Sequence, residues 1–185
     1  FCDRVAESGA ELALVEGVMG YYDGLGGVSS RASTWEIAHI LDAPTIFVMD
    51  AKGASVSIAA LVRGMMQFKE ERKVQSGIRG LILNRVSPMF YPRLRSVIEE
   101  YCPGIEVLGY LPELPELKVP SRHLGLVEPE EIADFQRWTE RVAAQMEESV
   151  DVEWLLEIAG VDGLNIPQTP RRDEWNNLKC LDMSA

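Results

Sequence analysis

A short apolar run that ends on an acid and passes directly into a glycine-rich loop is the feature that most constrains this chain. The run covers residues 12–15, the acid is Glu16, and glycine follows at positions 17, 20, 24, 26 and 27. Such a run, bounded by glycine, is typical of a buried parallel strand. Ligands in open α/β sheets bind just beyond the carboxyl ends of these strands. The sequence therefore predicts a strand at 12–16 and places Glu16 and Asp23 where chemistry is expected.

The rest of the chain repeats this pattern of apolar runs separated by helical periodicity. Further strands are predicted at 45–49, 78–83 and 105–108. Apolar residues at helical spacing predict the helices that separate and follow them, at about 34–41, 57–72, 88–101, 129–146 and 151–159. Alternation of this kind indicates an α/β fold with a three-layer, mostly parallel sheet and helices on both faces.

Polar residues follow each predicted strand. Glu16 follows the first, Asp50 the second, Asn84 the third, and the segment at 109–112 the fourth. Because the carboxyl ends of parallel strands share one edge of a sheet, all four groups are expected along a single rim.

Length and charge limit the classes of partner. A chain of 185 residues is long enough for one domain with its own core, and the net charge of −11 argues against nucleic acid or an anionic membrane as a partner. Three widely spaced cysteines and the lack of a long apolar stretch predict a cytoplasmic protein without disulfides or a membrane span. We expect one domain at 1–159 and a linker or disordered tail at 160–185. The first residues, which lack an initiator Met, suggest that the sequence starts inside a domain.

Several acids and amides allow two interpretations each. Glu16 and Asp50 could ligate Mg²⁺ beside nucleotide phosphates, or could cap a helix or form a surface salt bridge. Asp23 precedes Gly24, and Asp-Gly is a common turn pair. Asn84 could hydrogen-bond a base edge or end a strand in a turn. The stretch at 52–55 is not a P-loop, and no other part of this sequence has the GxxxxGK[ST] spacing.

A series of motifs resembles the cobyrinic acid a,c-diamide synthases, which are glutamine-dependent amidoligases of corrinoid biosynthesis. The resemblance covers about residues 1–159, in order and at natural spacing. The motifs that carry it are EGVMGYYDG at 16–24, VMDAKG at 48–53, SIAAL at 57–61, ILNRV at 82–86, GYLP at 109–112, RHLGL at 122–126 and DVEWLL at 151–156.

This resemblance implies a P-loop NTPase fold, similar to that of dethiobiotin synthetase. It also implies a functional role for most of the motifs. ATP would activate a carboxylate of a corrinoid or related tetrapyrrole acid as an acyl phosphate, and ammonia from a glutaminase domain would displace the phosphate. The resemblance makes Glu16 the Mg²⁺ ligand, with Glu16 and Asp23 as catalytic residues. It assigns substrate contacts to five residues: Asp23, Tyr22, Ser57, Arg122 and His123. It assigns the nucleoside-binding edge to six more: Asn84, Arg85, Gly109, Tyr110, Leu111 and Pro112.

The sequence also departs from that family. The unit that carries the P-loop and the glutaminase domain with its nucleophilic cysteine are both missing, so the chain resembles a synthetase domain truncated at its N-terminus and is expected to be inactive alone. Two alternatives remain: a related amidase of nickel-sirohydrochlorin, or a non-catalytic binding piece without a P-loop. The sequence does not fix the oligomeric state, and a homodimer stays one option.

Overall fold

A computed structural model of the chain describes residues 2–68, 76–115 and 135–160. Within these ranges the helices and strands are α1 (Cys2–Ser8), α2 (Thr34–Ile40), β1 (Thr45–Asp50), α3 (Ser57–Gln67), β2 (Ile78–Asn84), α4 (Tyr91–Tyr101), β3 (Glu106–Leu111), α5 (Phe135–Ser149) and α6 (Val152–Ile158). A 3₁₀ turn covers Leu25–Gly27.

The described strands form one parallel sheet in the order β1-β2-β3. Each strand is followed along the chain by a helix, which is the connection that parallel strands require. This architecture confirms the α/β prediction, including the strands predicted at 45–49, 78–83 and 105–108. The third of these is longer than predicted, so residues 109–111 lie inside β3 rather than in the loop after it.

The strand predicted at 12–16 is wrong. Residues 12–20 are irregular, and the side chains of Leu14 and Val15 are 85% and 51% exposed. A parallel strand exists only where a neighbouring strand accepts its backbone hydrogen bonds, and in the described part of the chain the sheet does not include this run. The apolar pattern is the same for a buried strand and an unpaired segment, so periodicity could not separate them.

The helices agree with the sequence patterns where the structure describes them. Ser33, which is buried, caps α2 by accepting a hydrogen bond from the Glu36 N–H at 3.2 Å. The helix predicted at 129–146 is seen as α5 from Phe135 onward. The start of that prediction, the end of the helix predicted at 57–72 and the tail at 161–185 lie outside the described residues.

The chain divides into two compact units, of which the first comprises Phe1–Ile46, Gly64–Gly80 and Glu153–Ala185 and the second Phe47–Arg63 and Leu81–Val152. In the second unit α4 and α5 both contact β3. Its core contains the fully buried side chains of β2 and α4, which are Leu81, Leu83, Leu94 and Ile98. Cys102 is also buried there, and its thiol donates to the Ala59 carbonyl at 3.2 Å.

Candidate functional site

The carboxyl ends of the three strands are joined by backbone hydrogen bonds in the second unit. The Ala51 N–H donates to the Asn84 carbonyl at 2.9 Å, and the Val86 N–H donates to the Leu111 carbonyl at 3.1 Å. The residues that follow β1, β2 and β3 therefore lie side by side. The predicted shared rim is confirmed for these three strands.

A cavity of about 710 Å³ opens at this rim. Three loops contribute its walls, one after each strand: Ala51, Gly53, Ala54 and Ser55 after β1, Arg85, Val86, Ser87, Pro88 and Phe90 after β2, and Pro112 and Glu113 after β3. The lining combines apolar surface with two hydroxyl groups and two charged residues. Its volume lies within the range of small-molecule sites, roughly 300–1,000 Å³. A cavity with this position, volume and lining can accept a small, partly polar molecule.

An ion pair joins the ends of β1 and β2 at the cavity. The guanidinium of Arg85 donates to both carboxylate oxygens of Asp50, with Nε 2.8 Å from Oδ1 and Nη2 on Oδ2. The backbone N–H of Lys52 donates to the same Oδ1 at 3.2 Å. Because of the Arg85 hydrogen bonds above all, the pKa of Asp50 falls to about 2. Of the two interpretations of Asp50, the structure shows the salt bridge.

A second ion pair joins the ends of β1 and β3. Lys52 Nζ lies 2.6 Å from Glu113 Oε1, and both side chains are about half exposed. With Asp50–Arg85, this pair places two cations and two carboxylates at the rim. The cations of both pairs thus already have carboxylate partners.

The segment predicted as part of a nucleoside edge has a packing role as well. Gly109 is buried with φ +153°, and a Cβ there would lie 2.6 Å from the Val150 Cα and would overlap the Ser149 carbonyl. Tyr110 stacks on Tyr91 with ring centroids 4.5 Å apart. Pro112 lines the cavity, whereas the structure gives Gly109 and Tyr110 close protein neighbours. Nucleoside binding by residues 109–112 stays a prediction.

Tyr22, predicted to contact substrate, lies in an aromatic cluster of the first unit. Its hydroxyl donates to the Met65 carbonyl at 2.7 Å, and its ring lies 4.6 Å from Phe68 and 6.1 Å from Trp35. Burial, followed by the neighbouring Tyr21, raises the pKa of Tyr22 to about 12. These contacts anchor the glycine loop to the body of the unit, so Tyr22 has a structural role whether or not it meets a substrate.

Asp23 is exposed and belongs to a tight turn. Its N–H donates to the Gly20 carbonyl at 2.9 Å. Its carboxyl carbon would lie 2.8 Å from a Cβ on Gly20, so the side chain folds back over that glycine. This turn is centred on residues 21–22, two positions before the Asp-Gly pair at 23–24, and it holds the Asp23 carboxylate at the surface where it can meet a ligand.

Glu16 is exposed within the irregular segment at 12–20. The next residue, Gly17, packs against Thr34, the first residue of α2, where a Cβ would lie 2.6 Å from the Thr34 Cγ2. In the ranges that the structure covers, no group of three or more His, Cys, Asp or Glu side chains could hold a metal by protein ligands alone. Mg²⁺ is commonly bound through one or two carboxylates together with substrate phosphates, a type of site for which a single exposed Glu16 is suitable.

The remaining predicted substrate residues are not brought to the cavity rim by the described structure. Ser57 begins α3 and is exposed, but it does not line the cavity. Arg122 and His123 lie outside the described residues. Conversely, Ser55, Ser87 and Phe90 line the cavity and were not singled out from the sequence. The signal for Ser55 and Ser87 was positional, because each lies in a loop that follows a predicted strand, whereas Phe90 falls at the start of the helix predicted at 88–101 and caps α4 in the structure.

Comparison with known proteins agrees with the sequence resemblance. The model of a family described as an AAA domain matches residues 3–121. Cobyrinate a,c-diamide synthase of Salmonella typhimurium is 37% identical over 94% of this chain and 37% of its own length. Hydrogenobyrinate a,c-diamide synthase of Brucella ovis is 40% identical over 84% of this chain and 34% of its own length. A cobyrinate a,c-diamide synthase of Caldanaerobacter subterraneus is 38% identical over 82% of this chain and 32% of its own length.

The chain spans about a third of the length of the curated relatives it matches. No solved structure matches it. Among the helices that the structure describes, none combines the length and the apolar character needed to cross a bilayer.

Proposed function

We propose that this chain, which belongs to the AAA domain family whose model matches residues 3–121, is part of the synthetase domain of an a,c-diamide synthase. The substrate class would be a corrinoid acid such as cobyrinate or hydrogenobyrinate, in cobalamin biosynthesis. The observation that supports this most is the set of seven ordered motifs, together with identities of 37–40% to synthases that bear these two substrate names.

The proposed reaction has two chemical steps. A substrate carboxylate oxygen attacks the γ-phosphorus of ATP, ADP leaves, and an acyl phosphate forms. Ammonia, supplied by glutamine hydrolysis in a domain not contained in this chain, then attacks the acyl carbon. Inorganic phosphate leaves and the amide remains. The two steps would be repeated on a second acetate group.

Within the first unit, the glycine loop offers the acids for this chemistry. Glu16 would hold Mg²⁺, which when bound neutralises charge on the phosphate oxygens. Asp23, held at the surface by its turn with Gly20, would orient the substrate carboxylate or its acyl-phosphate intermediate. In the same loop, Gly26 and Gly27 have positive φ and no atom closer than 3.9 Å to an added Cβ, so an anion can approach the backbone N–H groups there.

Within the second unit, the cavity at the strand ends would accept the nucleoside of ATP. Phe90, Pro88 and Pro112 provide apolar surface for a flat ring. Asn84, which directly precedes the cavity-lining Arg85, would provide an amide that can both donate to and accept from a base edge. The two rim cations, Lys52 and Arg85, are already paired with carboxylates, so the cavity is unsuited to a triphosphate. The phosphates would therefore extend away from it.

The proposal is tested on the full-length protein that carries this segment. Incubation with glutamine, Mg²⁺, ATP and a corrinoid acid should release ADP and yield a diamide, detected by coupled assay and mass spectrometry. Omission of the corrinoid acid is the control. Parallel trials with cobyrinate, hydrogenobyrinate and nickel-sirohydrochlorin would identify the substrate, and no ADP release with any of them would favour a non-catalytic binding protein.

The 185-residue chain by itself is expected to be inactive and to bind ATP weakly, since it has no GxxxxGK[ST] sequence to hold the phosphates. Micromolar affinity by calorimetry would contradict this. We also propose a cytoplasmic setting, which is supported by three widely spaced cysteines and by the buried free thiol of Cys102.

A further inference from the structure

The ion pair between Asp50 and Arg85 occupies a special place in the backbone of the cavity rim. Arg85 lies between two residues whose backbone groups join the strand ends: the Asn84 carbonyl accepts from Ala51 and the Val86 N–H donates to Leu111. The conformation of this one residue therefore decides how Val86, which lines the cavity, and Asn84, the last residue of β2, are oriented.

That conformation is an uncommon one. Arg85 has φ +63°, in the left-handed region that residues with a Cβ rarely adopt. Left-handed backbone at a non-glycine residue persists only when surrounding contacts maintain it. In Arg85 the side chain donates two hydrogen bonds to the Asp50 carboxylate. Because the guanidinium is planar, binding at two points fixes its orientation as well as its distance from Asp50.

We propose that Asp50 and Arg85 form a positioning pair for nucleotide binding. The two-point hydrogen bond from Arg85 to Asp50 keeps Arg85 in its left-handed conformation, and so fixes the Val86 backbone at the cavity and the orientation of Asn84 at the end of β2. Neither residue needs to contact the phosphates. The inference rests on the proposed nucleotide role of the cavity.

An alternative role for Arg85 predicts the opposite effect of one substitution. If Arg85 bound a phosphate directly, Asp50 would compete for its charge, and Asp50→Asn would strengthen ATP binding. If the pair acts by positioning, the same substitution loosens the loop and weakens binding. The sign of the change therefore separates the two roles.

The experiment measures steady-state kinetics of the full-length protein with Asp50→Asn, Arg85→Gly and both changes together. Glycine accepts φ +63° without strain, so Arg85→Gly removes the side chain while allowing the same backbone. We expect each single variant to raise the KM for ATP about three- to fivefold, the range for a well-oriented exposed pair. The double variant should resemble either single one, with kcat within about twofold of wild type and the KM for glutamine unchanged.

The matched control is Glu99→Gln, which breaks the exposed Arg95–Glu99 pair of α4, where Arg95 Nε lies 2.6 Å from Glu99 Oε1. It should leave the KM for ATP unchanged. A lower or unchanged KM for ATP in Asp50→Asn, or a fall in kcat alone, would overturn the inference.

Hydrogen exchange of the Val86 amide distinguishes failure of this inference from failure of the proposed function. If the wild-type protein releases no ADP, the proposed function fails. Faster Val86 exchange in Asp50→Asn would still support positioning of the loop, whereas unchanged exchange would overturn it.

Discussion

Gly20 and Asp23 are arranged so that the carboxylate of the second covers the α-carbon of the first. The Asp23 N–H donates to the Gly20 carbonyl at 2.9 Å, and the carboxyl carbon would be only 2.8 Å from a Cβ on Gly20. A short side chain such as that of Asp cannot move aside without changing its rotamer. The glycine therefore determines where this acid points.

Gly20→Ala is expected to displace the Asp23 carboxylate and to lower turnover of the full-length protein by about ten- to a hundredfold, because small misplacements of a reacting or orienting group are costly. Asp23→Asn should lower it similarly, and the double variant should be no worse than either. Thermal unfolding should change little, since the turn is exposed. Wild-type turnover in Gly20→Ala would remove Asp23 from the proposed chemistry.

Glu16→Gln tests the proposed metal role. The side chain is exposed in an irregular segment, so the free energy of unfolding should change by no more than about 0.5 kcal/mol. Loss of a Mg²⁺ ligand should reduce Mg²⁺-dependent turnover about a hundredfold or more. A Mg²⁺ titration of turnover, beside circular dichroism, measures both effects. Turnover and Mg²⁺ dependence equal to those of wild type would argue against a metal role.

Among the glycines in and near β3, Gly109 should tolerate substitution by alanine least. Alanine there would meet the Ser149 carbonyl and the Val150 Cα, which are backbone atoms that cannot move independently. We expect Gly109→Ala to reduce the free energy of unfolding by about 3 kcal/mol or more, from overpacking together with backbone strain.

The matched control for that substitution is Gly104→Ala. Gly104 also has positive φ, +92°, but has no neighbour within 4 Å of an added Cβ in the described structure. Gly104→Ala should reduce the free energy of unfolding by only about 1 kcal/mol or slightly more, because backbone strain is then the sole cause. Urea denaturation measures both variants, and equal losses would show that the approach of Ser149 is not what requires glycine at 109.

The contrast between two apolar runs shows how far the sequence predicts this fold. Residues 45–49 and residues 12–16 have the same pattern, an apolar run ending on an acid, yet the first is β1 and the second is irregular. Local pattern reports that a segment can form a strand. Whether a neighbouring strand pairs with it depends on tertiary contacts that no window of sequence contains.

In the candidate site, too, some features follow from the local sequence pattern and others depend on tertiary contacts. The meeting of the β2 end, through Asn84 and Val86, with the ends of β1 and β3 followed from the alternation of strands and helices. The partner of Asp50 did not follow, because Arg85 is 35 positions away and its direction depends on a left-handed backbone. The structural role of Tyr22 was hidden for a similar reason, since its hydroxyl meets a backbone carbonyl at Met65, which has no signature in sequence.

Tyr22→Phe should alter stability in a pH-dependent manner. The hydroxyl donates to the Met65 carbonyl, so its loss should cost about 1–2 kcal/mol at neutral pH. The folded pKa of about 12 exceeds the ordinary value of 10.0. The proton-bound form is therefore favoured by folding, and this contribution is complete below pH 10 and is lost as the pH rises toward 12. Urea denaturation between pH 8 and 11 should show a shallower decline in Tyr22→Phe than in wild type, and parallel curves would contradict the burial of this hydroxyl.

The carboxyl group of Asp50 should titrate far below its usual range. With Arg85 in place its pKa is about 2, against 3.8 for an unperturbed Asp, so folding favours the ionised form. The resulting stabilisation is present above about pH 3.8 and is lost as the pH falls toward 2. In Arg85→Gly the main cause of the shift is removed, and the Asp50 pKa should rise most of the way back to its ordinary value. Carbon-detected NMR titration of the Asp50 side chain in the two proteins measures this difference directly. Because the Lys52 N–H still donates to Asp50 in the variant, a small residual depression is expected, and an unshifted Asp50 in the wild type would show that the Arg85 fork does not persist in solution.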